Sequence, residues 1–508
     1  MRPNFAMTVP VPSTAGGDDA GAPEAGLAAR VAAGPGAWED EEWLADLRRE
    51  PLLESLMADG TIAAAASAEH AHKQERALNA EMTALSLACG ALFPVLGYDS
   101  TMSVVFGLPG VPVRPSTPVP TGPAYSKARA RSGEAPARAM FFHDAARADI
   151  PAGDDGFAFG LEVTVTDGTT LELFNDPALA EEFGVPAPGA KPLLRLVGLL
   201  HSGTRRWRAA VVGRYLDGEN ALADELEEYF GPGQLNLADR GFFSMDRWIR
   251  FSAAGAHLLW RVKNGAKCVP FKTLKVLEDG SELVLLRESS GMRTRRRKNA
   301  GDKTLPYLPD TVARLACFTV LTRTRSGRTK TTQIRLLTTL LDPDLCPASE
   351  LALLYGKRWI VEIAFLHLKR TVRGSRRTLR ARSAELARQE AWALLLAHNI
   401  IAGLAARAAA LAGLAPGQIV FTAVLSLARA AVTADTCCPH CGKRPTSANA
   451  PTASLGDDIA AIPPGRTGRQ RTSGRTAAQR RTWISEPAEY TITIVPSNLP
   501  KTDVSLAS

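Results

Sequence analysis

Cysteine is scarce, with seven in 508 residues, an odd number at irregular positions. That excludes a disulfide framework and is the pattern of a protein kept in a reducing cytosol. The opening stretch MRPNFAMTVPVPSTAGGDDAG has no apolar h-region, so it does not read as a secretory signal. Long uninterrupted apolar runs are also missing. The most apolar stretch, AWALLLAHNIIAGLAARAAALAGL from Ala391, is broken by His398, Asn399 and Arg407. It predicts a buried or interface helix rather than a membrane span. There is no internal repeat. Acid is absent from the arginine run Arg466, Arg469, Arg471, Arg475, Arg480 and Arg481, a pattern suited to non-specific phosphate contact.

What is present is enough for several packed units. Apolar residues are 45% of the chain, which excludes wholesale disorder. At roughly 100–200 residues per domain the length suggests two to four domains. Lysine and arginine number 60 against 52 acids, a net charge of 60 − 52 = +8. Spread evenly that surplus would mean little; clustered, it attracts a polyanion.

Periodicity divides the chain. Residues 1–38, rich in Ala, Gly and Pro, are expected to be a disordered arm. From Ala37 to Pro94 the spacing is helical; the Pro-rich linker GLPGVPVRPSTPVPTGP follows, and then the basic amphipathic helix candidate AYSKARARSGEAPARAMFF with Lys127, Arg129 and Arg131. Near Gly160 the period becomes two. LEVTVTDGTTLELF reads as strand, turn, strand; LLRLVGLLHS and WRAAVVGRYL as further strands. ENALADELEEYF reads as an acidic helix, QLNLADRGF as a short strand ending in a loop, FSMDRWIRFSAAG as helix and HLLWRV as strand. Crossover helices between the later strands imply a mixed sheet with a parallel part. Residues 263–330 break the rhythm as a β-rich insertion carrying the basic run RTRRRK at 293–298. After QIRLLTTLLDP helices resume at PASELALLYGKRW and continue to about Val432, and 434–508 is a tail expected to be disordered.

Chemistry concentrates on PASELALLYGKRWIVEIAFLHLKRTVRG. Tyr355, Arg358, Glu362 and Lys369 are spaced by three, four and seven residues. On a regular helix they fall within an arc of about 60°. The residues between them, Trp359, Ile360, Val361, Ile363, Ala364, Phe365 and Leu368, are apolar, so the helix reads as buried on most sides with one polar stripe. Two readings stand side by side. Arg358 and Lys369 could simply pair with Glu362 at helical spacing, or Glu362 could hold a metal while the other three hold phosphates. Arg370, Arg373, Arg376, Arg377, Arg380 and Arg382 follow, a density of charge that repels itself without a polyanion. Asp167 ends the first predicted strand, where DG is also a hairpin-turn signal. Asp239 ends the fourth, where it is also a plain loop residue. Two aspartates and a glutamate are hard oxygen ligands suited to Mg²⁺ or Mn²⁺. Two such ions about 3.5–4 Å apart can activate water or a 3′-hydroxyl and stabilise a leaving oxygen.

The order Tyr-x₂-Arg-x₃-Glu-x₆-Lys resembles the signature of DDE transposases of the bacterial insertion-sequence-four family. TDGTTL around Asp167 and ADRGFF around Asp239 are similar to its first two acidic motifs, and LYGKRWIVEIAFLHLKR to its third. LRARSAELARQEAWALLLAHNII and AYSKARARSG are similar to flanking segments. The resemblance spans roughly residues 40–430. It implies an α/β, ribonuclease-H-like mixed sheet with flanking helices, interrupted by a β-rich insertion at 263–330, plus an N-terminal helical DNA-binding domain at 39–143. The catalytic domain would occupy 144–262 and 331–433. Asp167, Asp239 and Glu362 would form the catalytic, metal-binding triad around Mg²⁺ or Mn²⁺, two ions in all. Tyr355, Arg358 and Lys369 would contact the transposon end, with Arg373 and Arg376 as further DNA contacts. The implied partners are terminal inverted repeats, target DNA and a second copy of the chain in a synaptic homodimer, with no membrane, in the bacterial cytoplasm at the nucleoid. The implied chemistry is cut-and-paste transposition: water nicks one strand, the freed 3′-hydroxyl forms a hairpin, and the reopened 3′ end attacks target DNA. Two other functions stay open on the residues alone, a DNA-end-binding derivative that no longer cuts and a structure-specific nuclease without strand transfer.

Three further features are secondary. Cys437, Cys438, His440 and Cys441 form a CCPHC cluster without the second CxxC pair of a zinc ribbon. The 293–298 run could meet DNA. Trp207 and Trp260 are expected in the core.

Overall fold

A computed structural model describes residues 6–9, 60–68, 77–108, 117–147, 156–264, 269–323, 329–374, 378–435 and 489–494, with isolated positions at Leu53, Leu56 and Val111. Arg376 and Arg377, the Cys437–Cys441 cluster, the tail arginines and most of the arm lie outside the described residues.

The strands are β1 (Ala6–Val9), β2 (Phe157–Ala158), β3 (Leu161–Glu172), β4 (Leu193–His201), β5 (Trp207–Arg214), β6 (Gln234–Ala238), β7 (His257–Val262), β8 (Phe271–Val276), β9 (Glu282–Leu286), β10 (Thr311–Arg323), β11 (Thr329–Thr338) and β12 (Glu489–Ile494). They form one mixed sheet in the order β1-β12-β10-β11-β7-β6-β3-β4-β5, with β2 on β3 and the β8–β9 pair on β10. The parallel part is where the crossover helices required it: β6 runs parallel to both β3 and β7. The 263–330 segment continues this sheet, because β10 pairs with β11 and β11 with β7. Its basic run is helical, within Ser290–Ala300.

Helices cover both faces. Val163, Val165 and Leu171 of β3 pack with Phe365, with the long helix Ala384–Leu411 and with the N-terminal helices. Opposite them, Val197, Leu199 and Trp260 pack against the helices Glu219–Asp224 and Met245–Ala253. Trp207 and Trp260 are core residues, as expected. The apolar stretch from Ala391 lies in the long helix, whose most apolar window is 89% buried within the fold. One buried polar group ties three strands together. Asn236, at 0% exposure, donates to Thr164 and Thr166 and accepts from the Trp260 indole at 2.9 Å.

Three expectations are corrected. LEVTVTDGTTLELF is not strand, turn, strand. It contains a single strand that stays in register with β4 from Thr164 to Glu172. Gly168 lacks the positive φ that a two-residue hairpin requires, so Asp167 sits within the strand. The basic amphipathic candidate is two helices, Gly122–Ser132 and Ala135–Ala145, separated at Gly133, whose φ is 69°. Arg129 of that segment is buried rather than solvent-facing. Finally, the arm and tail, expected to lack structure, contribute β1 and β12, which pair with each other and, through β12, with β10. Alternating β-branched residues in YTITIV favour that extended backbone.

Candidate active site

The parallel pairing of β3 and β6 ends at Thr166 and Ala238. Asp167 and Asp239 are each the next residue, so the two aspartates leave neighbouring strands side by side. Asp239 is at a strand's carboxyl end, as the sequence suggests; Asp167 is at the carboxyl end of the parallel pairing instead. Side chains alternate along β3, so Asp167 and Thr169 share the face of Val163 and Val165. That is the face on which the Glu362 helix lies.

The Tyr355–Lys369 segment is not one regular helix. It runs as Ala348–Gly356, a 3₁₀ turn Lys357–Trp359, the helix Ile360–Leu366 and a π-helical turn His367–Val372. Val361, Ala364, Phe365 and Leu368 are buried as expected, but Trp359 is 51% exposed and Leu366 46%. The polar stripe nonetheless converges on the strand ends. Tyr355 OH lies 3.3 Å from Asp239 Oδ1. Arg358 donates to Asp167 Oδ2 at 3.3 Å and to Glu362 Oε1 at 2.9 Å. Lys369 donates to Thr169 Oγ1 at 2.8 Å. The first reading of the stripe holds in part: Arg358 pairs with Glu362, while Lys369 bonds to Thr169 instead, and Arg358 also reaches Asp167, 191 residues from it in sequence.

Electrostatics follow from burial and close acids. Burial raises the Asp167 pKa to about 6; the Gly168 N–H and Arg358 pull it down, while Glu219 and Glu362 push it up. Burial also raises Tyr355, with Asp239 adding to the rise. For Arg358 burial disfavours the charge, but Tyr355, Glu362, Asp167 and Asp239 outweigh it and hold the pKa up. Lys369 is lowered by burial first, then by Arg373 and Arg370.

Sequence reasoning missed three neighbours. Arg261 Nη1 lies 3.6 Å from Asp239. Thr169 holds Lys369. Glu219, first residue of its helix, approaches Gly168 so closely that a Cβ there would overlap its carboxylate. Burial raises its pKa, and Asp239 adds to that rise. Only the Asp-Gly adjacency hints at such an approach, since glycine permits close contact. Arg373 turns elsewhere: its Nε donates to Lys369 O, and it lines a cavity with Arg129 and Arg380.

The donors suit a hard divalent cation by type, being carboxylate oxygens throughout. Among the described residues, no three Asp, Glu, His or Cys side chains are grouped closely enough to hold an ion as they stand. Arg358 is bonded to two of the acids that would have to close around one.

Residues 161–400 match the family described as Transposase DDE domain. The chain is 32% identical over 230 residues to Transposase InsG for insertion sequence element IS4 of Escherichia coli (strain K12). That match covers 45% of this chain and 47% of that protein, so the chain spans about half the length of this relative. A solved structure, the cryo-EM structure of piggyBac transposase synaptic complex with hairpin DNA, is similar over 86% of this chain and 89% of that one, at 11% identity and a TM-score of 0.39. Residues 161–400 are thus similar to a domain of DDE-type transposases.

Proposed function

We propose that the protein catalyses metal-dependent cut-and-paste DNA transposition, hydrolysing phosphodiester bonds at element ends and joining the freed ends to target DNA. The observation that carries this reading is the Arg358 bridge from Asp167 to Glu362, with Asp239 held by Tyr355 from the same helical segment. Asp167, Asp239 and Glu362 would hold Mg²⁺ or Mn²⁺, two ions in all. When bound, such ions activate the attacking water or 3′-hydroxyl and stabilise the leaving oxygen.

The chain's own groups do the rest. Arg358, freed from the carboxylates, presents a planar fork of donors to phosphate oxygens. Lys369, oriented by Thr169, supplies a point charge beside them. Tyr355 fixes Asp239 at the strand end. In this reading Arg373 and Arg376 are further DNA contacts. Residues 144–262 and 331–433 act as a ribonuclease-H-like catalytic domain, interrupted by 263–330 and preceded by a helical DNA-binding domain at 39–143. The partners are terminal inverted repeats and target DNA, held by a homodimer, in the cytoplasm at the nucleoid.

The test is incubation of the full chain with DNA bearing the element's terminal inverted repeats and Mg²⁺ or Mn²⁺. Nicked and joined products are expected, and Asp239→Ala should abolish both while leaving DNA binding intact. Cleavage retained in Asp239→Ala overturns the assignment of the acids. Nicks without joining, or binding without nicks, overturns the strand-transfer reading.

A further inference from the structure

Away from the acids, a cavity of about 280 Å³ opens between the helices Ala80–Leu92, Gly122–Ser132 and Ala384–Leu411. It is far larger than the roughly 10–15 Å³ that one water needs. Three cations border it, Arg129, Arg373 and Arg380, against a single carboxylate, Glu390. Glu390 is already engaged, accepting the backbone N–H groups of Arg380 and Ala381. The lining keeps a net positive charge, and that carboxylate turns to the backbone rather than to the arginine side chains.

Two of these arginines have donors to spare. Arg129 is 4% exposed; its Nε donates to Gln389 at 2.8 Å and its Nη1 to Tyr98 OH at 2.6 Å, but its Nη2 has no partner. Arg373 Nη1 is likewise buried without a partner. Buried guanidinium donors normally find acceptors, so two unpaired ones at one cavity point to an acceptor that the chain itself does not supply. The cations are also held in place. The guanidinium carbons of Arg129 and Arg380 each lie 5.6 Å from the centre of the Tyr98 ring, and Arg380 Nη1 donates to Leu96 O at 2.7 Å. A rigid set of forked donors with excess positive charge matches the tetrahedral oxygens of a phosphate.

We propose that this cavity binds a phosphate group, carried either by a nucleic-acid strand or by a free phosphorylated molecule. Only the choice between those sources rests on the transposase reading; the site itself does not. Arg373 leads from the Lys369 turn to this cavity, so a strand crossing the acids could place a neighbouring phosphate there.

The test uses the full chain titrated calorimetrically with inorganic phosphate at constant ionic strength. One saturable site is expected, with no comparable heat from chloride. Arg380→Gln should weaken binding at least about tenfold, as expected for loss of a charge-assisted donor. In the wild type, phosphate should protect Arg373 and Arg380 from phenylglyoxal, read by peptide mass spectrometry, which keeps the test independent of whether the variant folds. Unchanged affinity in a folded Arg380→Gln, or labelling indifferent to phosphate, overturns the proposal. A short single-stranded oligonucleotide that displaces phosphate upholds the site with a strand as its source; phosphate binding without displacement upholds it with a free phosphorylated ligand. Metal-dependent cleavage is scored in parallel, so a protein that cuts DNA but ignores phosphate loses only this site.

Discussion

Arg358 donates to Asp167 and Glu362 at once, at 3.3 and 2.9 Å, and so joins a strand and a helix that are far apart in sequence. Two half-buried carboxylates held close together need a counter-charge. In the absence of an ion the guanidinium supplies it. Arg358→Gln should therefore destabilise the metal-free fold by less than the about 3–5 kcal/mol typical of a fully buried pair, and lower its melting temperature. Its melting temperature should then rise more with Mn²⁺ than the wild type's, because a cation that stabilises only the folded state shifts the equilibrium by mass action. Thermal unfolding with and without Mn²⁺ checks this; equal metal responses in the two proteins would contradict it.

Gly168 and Glu219 are coupled sterically. A Cβ on Gly168 would strike the Glu219 carboxylate, and overpacking of this kind costs about 1–3 kcal/mol. Glu219 can swing away, so Gly168→Ala should destabilise by the lower part of that range in the wild-type background. In a Glu219→Ala background the same change should be close to neutral. A double-mutant cycle by urea denaturation measures the difference; additive effects would show that the two residues do not meet.

Two buried histidines, His201 and His398, and the half-buried His367 set an acid limit on stability. Burial lowers the pKa of His201 and His367 to about 4 each and that of His398 to about 3. For His201 the Glu162 carboxylate at 3.2 Å works in the opposite direction, and burial outweighs it. Unfolded histidine titrates near about 6.5. Below that pH the unfolded chain binds protons that the folded chain refuses. Their stabilising contribution is thus complete above about pH 6.5 and declines as pH falls towards about 4, by up to about 1.4 kcal/mol per pH unit for each histidine. Urea unfolding at pH 7.5 and 5 should show the loss, and His398→Phe should reduce it. Equal stability at the two pH values would contradict this account.

Much of the site was legible because its residues obey local rules. Tyr355, Arg358, Glu362 and Lys369 lie on one stripe by spacing, and Asp239 follows a strand before a loop. That stripe survived the 3₁₀ and π turns because its targets, Asp239, Asp167 and Thr169, follow one another along the strand ends. Asp167 was legible as a site acid but misplaced, since Asp-Gly mimics a hairpin and only the pairing with β4 shows otherwise. Glu219 was not legible, because an acid at a helix start is ordinary in sequence. Nor was the burial of Arg129, whose partner Gln389 is 260 residues away; local amphipathicity carries no record of so distant a contact.

In the proposed function Asp167, Asp239 and Glu362 share divalent metal. Mn²⁺ titration followed by electron paramagnetic resonance tests it directly in the wild type and in Asp167→Asn, Asp239→Asn and Glu362→Gln. The account predicts that each substitution removes or markedly weakens tight Mn²⁺ binding while the protein stays folded. Mn²⁺ bound with unchanged stoichiometry and affinity in all three variants would contradict it.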